Sequence, residues 1–543
     1  MSSLAGSTGE SHVFSKGRAN DAGARRVIGW VRVASLILLF GSLKLFLWLN
    51  PFRIGWDAAS YVQAGDEILR GRVPFADIVD VNPPLVQFLH VPPALLARVP
   101  GLPAPLAFNL YVLAVAILSA FAVAWLLKRP ELRLSAERRF VILFTFAFAN
   151  HVAWFGAHFG QREHFIVLSL LPALLLRWLR HEGHAVRGAV ALPIGLAAAT
   201  ALAVKPHYLL PVLLFEATFL VRHRTPRRLL GVELFGALGV GAAYVALFIG
   251  YPAMRHEFLG RYLPLFSKGY RVYDCSLREL LLPTELWVAI FCASWVLVRP
   301  GPRDDARLAR PFGAFLTGCI VVYLAQHRGW LYQIFPAFAL GPVAVALVVP
   351  LSRYVPLLGA LAALGASAAW NVRNIAVPLA QEQEISGLRR AVQVMTRPGE
   401  SVLIVSTSVL GPYPMQLQLG VRSGSRFAWN PFLGMFYPDG PTHGCTYRKW
   451  GQGLPAERQV LEDLTADIRA RKPVLIAAQS QSLQAMRPGC SPSEWLQKSG
   501  LLERAMADYM PLPTAPGFDI WGLRSRPLPT RPGHGVARPT PMP

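Results

Sequence analysis

Long stretches almost free of charge are the feature that most constrains this chain. They span residues 33–49, 105–127, 165–176, 188–204, 229–250, 285–298 and 337–350. A bilayer core about 30 Å thick takes roughly 20 such residues per helix. Only helices or closed barrels satisfy the backbone in lipid, and these continuous stretches do not alternate as barrel strands do. The sequence therefore predicts a polytopic α-helical membrane protein, which agrees with 53% hydrophobic and 16% charged residues.

The first apolar stretch is interpreted as a retained anchor. Residues 1–26 are rich in Ser, Gly and Ala, which predicts a disordered cytoplasmic N-terminus. Arg25 and Arg26 precede a stretch that reaches Leu49, and no cleavage site of small residues follows it. A cleaved signal peptide has a shorter apolar region, so we expect this segment to remain as the first membrane helix.

The distribution of Lys and Arg predicts the orientation, because short basic loops stay in the cytoplasm. Basic clusters occur at 25–26, 128–139, 177–187, 222–228, 299–310 and 353. Placing all of them inside predicts about 11 transmembrane helices within a domain at 27–370, with an outer loop at 51–103. The predicted helices are 29–50, 104–127, 139–156, 164–179, 188–204, 208–222, 229–250, 283–298, 311–326, 330–350 and 354–370.

Two segments fit this topology less simply. Residues 85–99 are apolar but short and contain Pro92 and Pro93, so we expect an interfacial helix there. The outer loop 251–282 carries five basic residues, which longer loops tolerate. The net charge of +23 is then a signal of topology and of contact with membrane lipids. We expect no nucleic-acid partner.

The C-terminal part changes character and predicts an extracytoplasmic α/β domain at 371–525. Its expected helices are 385–395, 456–471 and 491–499, and its expected buried strands are 402–406 and 474–478. A Pro- and Arg-rich tail at 526–543 is predicted to be disordered. Cys445 and Cys490 would face the oxidising side, where they either form a disulfide or remain free thiols.

The predicted topology brings several polar motifs to the outer face. The loop after the first helix contains GWDAASY (55–61), DE (66–67), PFAD (74–77) and NPP (82–84). Three very short loops add GQREH (160–164), KPHY (205–208) and QHRGW (326–330). Charges this close to the bilayer are costly and usually line a cavity.

This mixture of side chains suits one kind of chemistry. A carboxylate such as Asp57 can act as a general base, and Arg and Lys bind phosphate as a bidentate fork and as a point charge. Apolar walls beside them suit a lipid chain. The candidates for substrate or phosphate contact are Asp77, Arg162, Glu163, His164, Lys205, His207, His327 and Arg328. Together they favour a lipid-phosphate-linked substrate at the outer leaflet.

The segment WDAASYVQAGDEILRGRVPFADIVDVNPPL (56–85) resembles the first outer loop of the C-type membrane glycosyltransferases. This group includes the protein O-mannosyltransferases and the lipid A aminoarabinose transferases. The matching features are Asp57, the helix-ending Gly71, the PFAD turn and the PPL sequence at 83–85. The match covers about thirty residues. Many members have a second acid after the first, but Ala58 follows Asp57 here, so a metal site is not favoured and no cofactor is expected.

The resemblance implies a glycosyltransferase of the bacterial inner membrane. A hexose or pentose on a polyprenyl phosphate would pass, with inversion, to an envelope glycan, lipid or protein. Asp57 would deprotonate or orient the acceptor hydroxyl. The cationic candidates would stabilise the leaving phosphate, although this assignment comes from the topology and the family motif does not specify it.

Each candidate residue also has a simpler interpretation. Asp57 could cap a helix, Asp77 could close a turn, and Lys205 could reach the lipid headgroups. The remaining alternatives are a solvated helix face for Asp66 and Glu67, a mutual ion pair for Arg162 and Glu163, ordinary interfacial positions for His207 and His327, and an aromatic belt for Trp154, Trp330 and Tyr332.

Two other functions remain open at this point. A transporter or flippase also uses many helices and buried charge, but it tends to place that charge at the bilayer midplane. A non-catalytic polysaccharide-assembly protein is the second alternative, although it would not need the Asp57 loop. We therefore favour the glycosyltransferase.

Overall fold

The computed structural model describes residues 47–150, 158–224, 230–298, 303–349, 385–438, 445–480 and 490–526, with isolated positions within 33–45, at 228 and within 358–369. Several predictions lie wholly or largely outside these residues. They are the disordered N-terminus 1–26, most of the helices 29–50 and 354–370, the domain start at 371–384, Trp154 and the tail from 527.

The first two-thirds of the described chain is helical. Its helices are α1 Trp56–Leu69, α2 Leu85–Leu89, α3 Val91–Leu96, α4 Ala104–Leu127, α5 Ala136–Phe148, α6 Arg162–His181, α7 Gly188–Val204, α8 Leu209–His223, α9 Val232–Gly250, α10 Pro252–Glu257, α11 Leu263–Gly269, α12 Leu277–Leu281, α13 Thr284–Val298, α14 Arg303–Gln326 and α15 Leu331–Val348. Shorter turns include Phe258–Tyr262 and Tyr270–Tyr273.

Four of the described helices are long and apolar enough to cross a membrane. They are α4, α9, α14 over Arg307–Gln326, and α15. The 24 residues of α4 extend about 36 Å, which exceeds the hydrocarbon thickness. The number of about 11 transmembrane helices is therefore not confirmed, since α7 and α13 are apolar but shorter.

Helix α15 forms the centre of the bundle. It packs against α5, α6, α13 and α14, and its side chains are almost completely buried. By contrast, α9 packs closely against α7 and leaves most of its apolar surface exposed. A helix that is apolar on its outward face is suited to lipid. The packing of α7 and α9 requires glycine, since a Cβ at Gly195 would lie 2.3 Å from the Glu233 carbonyl oxygen.

The two ends of the bundle are chemically distinct. Helix α6 begins at Arg162 and ends at His181, so about 30 Å separates its ends. At the His181 end, Arg177 binds Glu216 at 2.8 Å and Glu233 at 2.7 Å. Arg138 donates to the Ala346 carbonyl at 3.0 Å at this same end. The basic segments predicted to share one side of the membrane therefore lie together, away from the Asp57 loop.

The segment 85–99 forms two short helices where one was expected. Helix α2 ends at Leu89, and α3 starts at Val91 with Pro92 and Pro93 in its first turn. Proline is tolerated there because the first turn has no internal partner for its missing N–H. Leu95, Leu96 and Val99 remain exposed, which suits an interfacial position.

The C-terminal part contains helices packed on a five-stranded mixed sheet. Its elements are α16 Ser386–Met395, β1 Ser401–Val405, α17 Met415–Leu419, β2 Arg422–Ser423, α18 Phe432–Phe436, α19 Pro455–Arg471, β3 Leu475–Gln479, α20 Pro492–Lys498, α21 Leu501–Ala505, β4 Tyr509–Ala515 and β5 Phe518–Leu523. The strand order is β2-β1-β3-β5-β4. Strands β1, β2 and β3 are parallel, whereas β5 pairs antiparallel with β3 and β4.

This C-terminal part is docked on the Asp57 loop. The Val79 N–H donates to the Arg426 carbonyl at 2.7 Å, and Arg471 donates to the Asp77 carbonyl at 2.8 Å. Phe75 and Phe258 share an apolar cluster with Phe432 of α18. Residues 51–103 and 251–282 thus form the surface against which the sheet domain packs. A disulfide between Cys445 and Cys490 closes this part of the chain.

Candidate active site

Asp57 lies in the first turn of α1, at the end of the bundle that carries the C-terminal part. The helix starts at Trp56 with Gly55 in the cap position, so Asp57 is not the capping residue. One carboxylate oxygen accepts a hydrogen bond from Gln161 Nε2 at 3.0 Å. Burial raises the pKa of Asp57 above its ordinary value, while Arg162 and Gln161 act in the opposite direction. A raised pKa makes this carboxylate a better proton acceptor.

A tight turn holds the start of α6 against α1. Gly160 has φ +76°, and a Cβ on it would lie 2.3 Å from the Phe108 ring. Its N–H donates to His164 Nδ1 at 3.1 Å, so His164 fixes the turn from within α6. Only glycine fits here without strain. The turn therefore places Gln161 and Arg162 beside Asp57.

Arg162 is a buried cation that has no ion-pair partner among the residues that the structure describes. Its side chain is 7% exposed, and the guanidinium lies 5.9 Å from the centre of the Tyr61 ring. It makes no hydrogen bond or ion pair at normal distance with any residue that the structure describes. A buried charge is costly unless something pairs with it. Arg162 is therefore available to an anionic ligand.

Glu163 and Lys205 form a buried ion pair next to Arg162. Glu163 is fully buried, and its carboxylate contacts the Lys205 ammonium at the end of α7. The ammonium also lies 5.4 Å from the Tyr332 ring centre. Burial lowers the pKa of Lys205 to about 8, although Glu163 opposes this shift. Glu163 thus pairs with Lys205 rather than with Arg162, and Lys205 does not reach outward to headgroups.

Asp80 is a further carboxylate of this site that the sequence interpretation missed. Its Oδ1 accepts from the Asn82 N–H at 2.7 Å and from Asn82 Nδ2 at 2.6 Å. Asn82 Nδ2 also donates to the Tyr61 hydroxyl at 2.8 Å. Burial raises the pKa of Asp80 to about 6, although the charge of Arg162 acts in the opposite direction. Its position two residues before Asn82-Pro83-Pro84, in the same outer loop, was the available signal.

An aromatic wall from the loop 251–282 also reaches this site. The Tyr270 ring lies 6.1 Å from Trp330, which lies 5.7 Å from Tyr332. Burial raises the pKa of Tyr270, while the charge of Arg162 lowers it. We call Asp57, Asp80, Arg162, Glu163 and Lys205, with Tyr61, Tyr270 and Tyr332 around them, the polar cluster.

Apart from His164, which fixes the turn before α6, four predicted residues lie outside the polar cluster. Asp77 accepts from the Val73 N–H at 2.9 Å and lies 3.5 Å from Arg72, so it closes a turn. Arg328 forms an ion pair with Asp274. His207 and His327 are exposed. Within the described ranges, no group of three or more His, Cys, Asp or Glu side chains is placed to hold a metal ion.

Solved structures similar to this chain include two of ArnT and one of an oligosaccharyltransferase. ArnT from Cupriavidus metallidurans in the apo state matches 92% of this chain and 99% of its own, with TM-score 0.50 and 15% identity. ArnT bound to undecaprenyl phosphate matches 91% and 98%, with TM-score 0.47 and 14% identity. The oligosaccharyltransferase AglB from Archaeoglobus fulgidus matches 83% and 69%, with TM-score 0.41 and 12% identity.

No protein-family model and no curated protein sequence matches the chain. The fold assignment therefore rests on apo ArnT, a lipid A aminoarabinose transferase, which is matched over nearly its entire length. The helical body of this chain and the small sheet in its C-terminal part agree with the fold class predicted from the sequence. The chain therefore shares the fold of ArnT.

Proposed function

We propose that this protein is a membrane glycosyltransferase that moves a sugar from a polyprenyl phosphate to an acceptor hydroxyl. The observation that carries the proposal is the buried guanidinium of Arg162 beside the Asp57 carboxylate, since this guanidinium has no ion-pair partner within the part of the chain that the structure describes. A cation that needs an anion and a carboxylate that can take a proton are the two groups that this reaction requires. ArnT and AglB, which have similar structures, include forms bound to undecaprenyl phosphate and dolichol phosphate.

The reaction follows from these groups. Asp57 accepts the proton of the acceptor hydroxyl, whose oxygen attacks the anomeric carbon from the face opposite the phosphate. The bond from the anomeric carbon to the phosphate oxygen breaks, and its electron pair leaves on that oxygen. The configuration at the anomeric carbon is therefore inverted.

The phosphate gains negative charge as it leaves, because a singly charged diester becomes a monoester. Arg162 and the Lys205 ammonium lie where they can stabilise this added charge. An interaction that strengthens toward the transition state raises the rate more than one that only binds the substrate. Glu163 holds Lys205 in place through the buried ion pair. This scheme needs no metal ion.

We place the polar cluster and the docked C-terminal part on the extracytoplasmic side of the bacterial inner membrane, as the positions of the basic loops favour. A multi-pass bundle would then present the site to the outer leaflet, where a polyprenyl chain can lie along the exposed apolar helices. A transporter would instead place its charged residues near the bilayer midplane, and the polar cluster lies at one end of α6.

A transfer assay tests this proposal. The purified full-length protein in lipid nanodiscs is supplied with a panel of labelled polyprenyl-phosphate sugars and with whole cell-envelope material, lipids included, as the acceptor source. We expect one donor to be consumed with release of free polyprenyl phosphate. Asp57→Asn should abolish that release, whereas Asp66→Asn, on the exposed face of α1, should not. Consumption of no donor, or equal rates for wild type and Asp57→Asn, contradicts the proposal.

A further inference from the structure

Gln161 lies directly before α6, in the capping position of that helix. Its backbone is fixed on both sides, because its N–H donates to the His158 carbonyl at 3.0 Å and its carbonyl accepts from the His164 N–H at 2.9 Å. The residue is 1% exposed. The tight turn and the start of α6 therefore set the direction of the Gln161 side chain.

The Gln161 side chain does not stabilise its own helix. Capping residues are mostly Ser, Thr, Asp and Asn, whose short side chains accept from the N–H groups of the first turn. The Gln161 side chain makes no such bond. Its Oε1 atom is buried and has no hydrogen-bond partner among the described residues, which lowers the stability of the protein. Helix stability therefore does not explain a glutamine at this position.

The amide of Gln161 instead reaches α1. Its Nε2 donates to Asp57 Oδ2 at 3.0 Å, and within the described ranges it is the one side chain that donates to this carboxylate. The Ser60 hydroxyl, one turn along α1, donates to the backbone carbonyl of Asp57 at 2.8 Å. A hydrogen bond from an amide N–H to a carboxylate is charge-assisted, so it stabilises the ionised form of the carboxyl group.

The charges around Asp57 offset one another. The titratable groups that face it are two cations, two acids and three phenols: Arg162, Lys205, Glu163, Asp80, Tyr61, Tyr270 and Tyr332. Burial raises the pKa of Asp57 and makes it a stronger base, whereas the hydrogen bond from Gln161 acts in the opposite direction. A buried carboxylate that lost this donor would hold a proton up to a higher pH, and a protonated Asp57 cannot accept another.

We propose that Gln161 is a positioning residue of the transfer reaction, which keeps the Asp57 carboxylate ionised and fixed in place. The inference rests on the proposed function, because it concerns the regulation of the same base. Gln161 acts through Asp57 and contacts neither the donor nor the acceptor.

Carbodiimide labelling of the full-length protein in nanodiscs tests this inference without a substrate. An apolar carbodiimide reacts with a carboxyl group only in its protonated form, and mass spectrometry of the digested protein measures the label on Asp57 at each pH. Gln161→Leu removes the donor that favours the ionised form, so the protonated form should persist to higher pH. We expect the midpoint of labelling to rise by about 1–2 pH units, the effect of one hydrogen bond to a charged group.

Gln416→Leu is the matched control. Gln416 of α17 is also 1% exposed, its Nε2 donates to the Val402 carbonyl at 3.0 Å, and its Oε1 is likewise buried without a partner among the described residues. This variant makes the same chemical change away from Asp57, so its labelling midpoint should equal that of wild type. If gel filtration shows that Gln161→Leu is misfolded, Gln161→Met replaces it, because methionine is unbranched like glutamine.

The pH profile of donor consumption is the second readout. The acid limb of kcat/KM should rise by the same interval, so that Gln161→Leu is about 10- to 100-fold slower than wild type within that limb. The two rates should converge at higher pH. An unchanged labelling midpoint, or a rate that is lower by the same factor at every pH, overturns the inference.

The two readouts separate this inference from the proposed function. If wild type consumes no donor, the proposed function fails, whereas the labelling midpoint still decides whether Gln161 keeps Asp57 ionised. If wild type consumes donor and Gln161→Leu has the labelling midpoint of wild type, only the role of Gln161 is contradicted.

Discussion

Replacing Arg162 by Gln should weaken donor binding without destabilising the protein. Arg162 is 7% exposed and has no ion-pair partner among the residues that the structure describes, so its removal breaks no internal contact of that kind. An unpaired buried charge destabilises the protein that contains it. We therefore expect the ligand-free Arg162→Gln protein to be as stable as wild type or more stable.

The effect on donor binding should be large. A guanidinium that holds a phosphate bidentately forms two charge-assisted hydrogen bonds, each worth about 1.5–3 kcal/mol. Their loss amounts to ~3–6 kcal/mol, and every 1.4 kcal/mol is a factor of ten. The Kd for undecaprenyl phosphate should therefore rise about 10²- to 10⁴-fold. Arg162→Lys keeps the charge but loses the bidentate geometry of the guanidinium, so its Kd should lie between those of wild type and Arg162→Gln.

Lipid binding to protein in nanodiscs and thermal unfolding in the same preparation measure both quantities. Arg98→Gln is the matched control, because Arg98 forms an exposed ion pair with Asp66 at 3.2 Å and should leave both quantities unchanged. The contrasting variant is Glu163→Gln, which breaks a buried ion pair and should destabilise the protein by about 3–5 kcal/mol. An Arg162→Gln protein that is destabilised and still binds the lipid like wild type would refute this reasoning.

Four further outcomes are expected. Asp57→Asn should keep the donor KM and lose sugar transfer in a steady-state assay, and near-normal kcat would remove Asp57 as the base. Lys205 faces Glu163, Arg162 and Asp57, and its pKa of about 8 means that its charge is lost as the pH rises. The donor KM should then increase above pH 8, and a KM constant from pH 7 to 10 would exclude a charged Lys205 from donor binding. Cys490→Ser removes the disulfide that closes a 45-residue loop, and it should destabilise the C-terminal part by about 2–4 kcal/mol in urea pulse proteolysis. Unchanged stability would mean that the Cys445–Cys490 disulfide does not stabilise this part. A periplasmic reporter fused after Asn371 should be active, and an inactive fusion would overturn the topology.

The long apolar segments were the most predictable part of the fold. Residues 104–127 were predicted as a span and form α4, because 24 apolar residues allow only a helix in lipid. Burial, by contrast, was not predictable. The apolar sequences of α9 and α15 are alike, yet α15 lies at the bundle centre and α9 is mostly exposed. Both are apolar on all sides, so hydropathy cannot tell a lipid-facing helix from a buried one.

The sheet was predicted only where its strands are buried on both faces. Strands β1 and β3 are continuous apolar stretches and were expected near their observed positions. The hairpin of β4 and β5 was missed. Its partly exposed strand β4, Tyr509–Ala515, contains two prolines at an edge of the sheet, and proline argues against a strand unless an edge position is known.

The polar cluster was predicted in outline but not in its pairings. Short loops between apolar segments were enough to bring Arg162, Glu163 and Lys205 to the face of Asp57. The partner of each charge depends on side-chain direction, which spacing does not give. Glu163 faces α7 and pairs with Lys205, so Arg162 has no ion-pair partner among the described residues. Asp80 was missed because an acid before Asn82-Pro83-Pro84 resembles an ordinary turn residue.

The position of the donor phosphate is the most direct test of the account. A cryo-EM structure of the protein with undecaprenyl phosphate would measure it. We expect the phosphate to lie within about 2.7–2.9 Å of the Arg162 guanidinium nitrogens, on the side that Asp57 faces, with the lipid chain along the outer surface of the bundle. A phosphate bound at the opposite end, near Arg177 and Glu216, or bound with no contact to Arg162, would contradict the proposed mechanism.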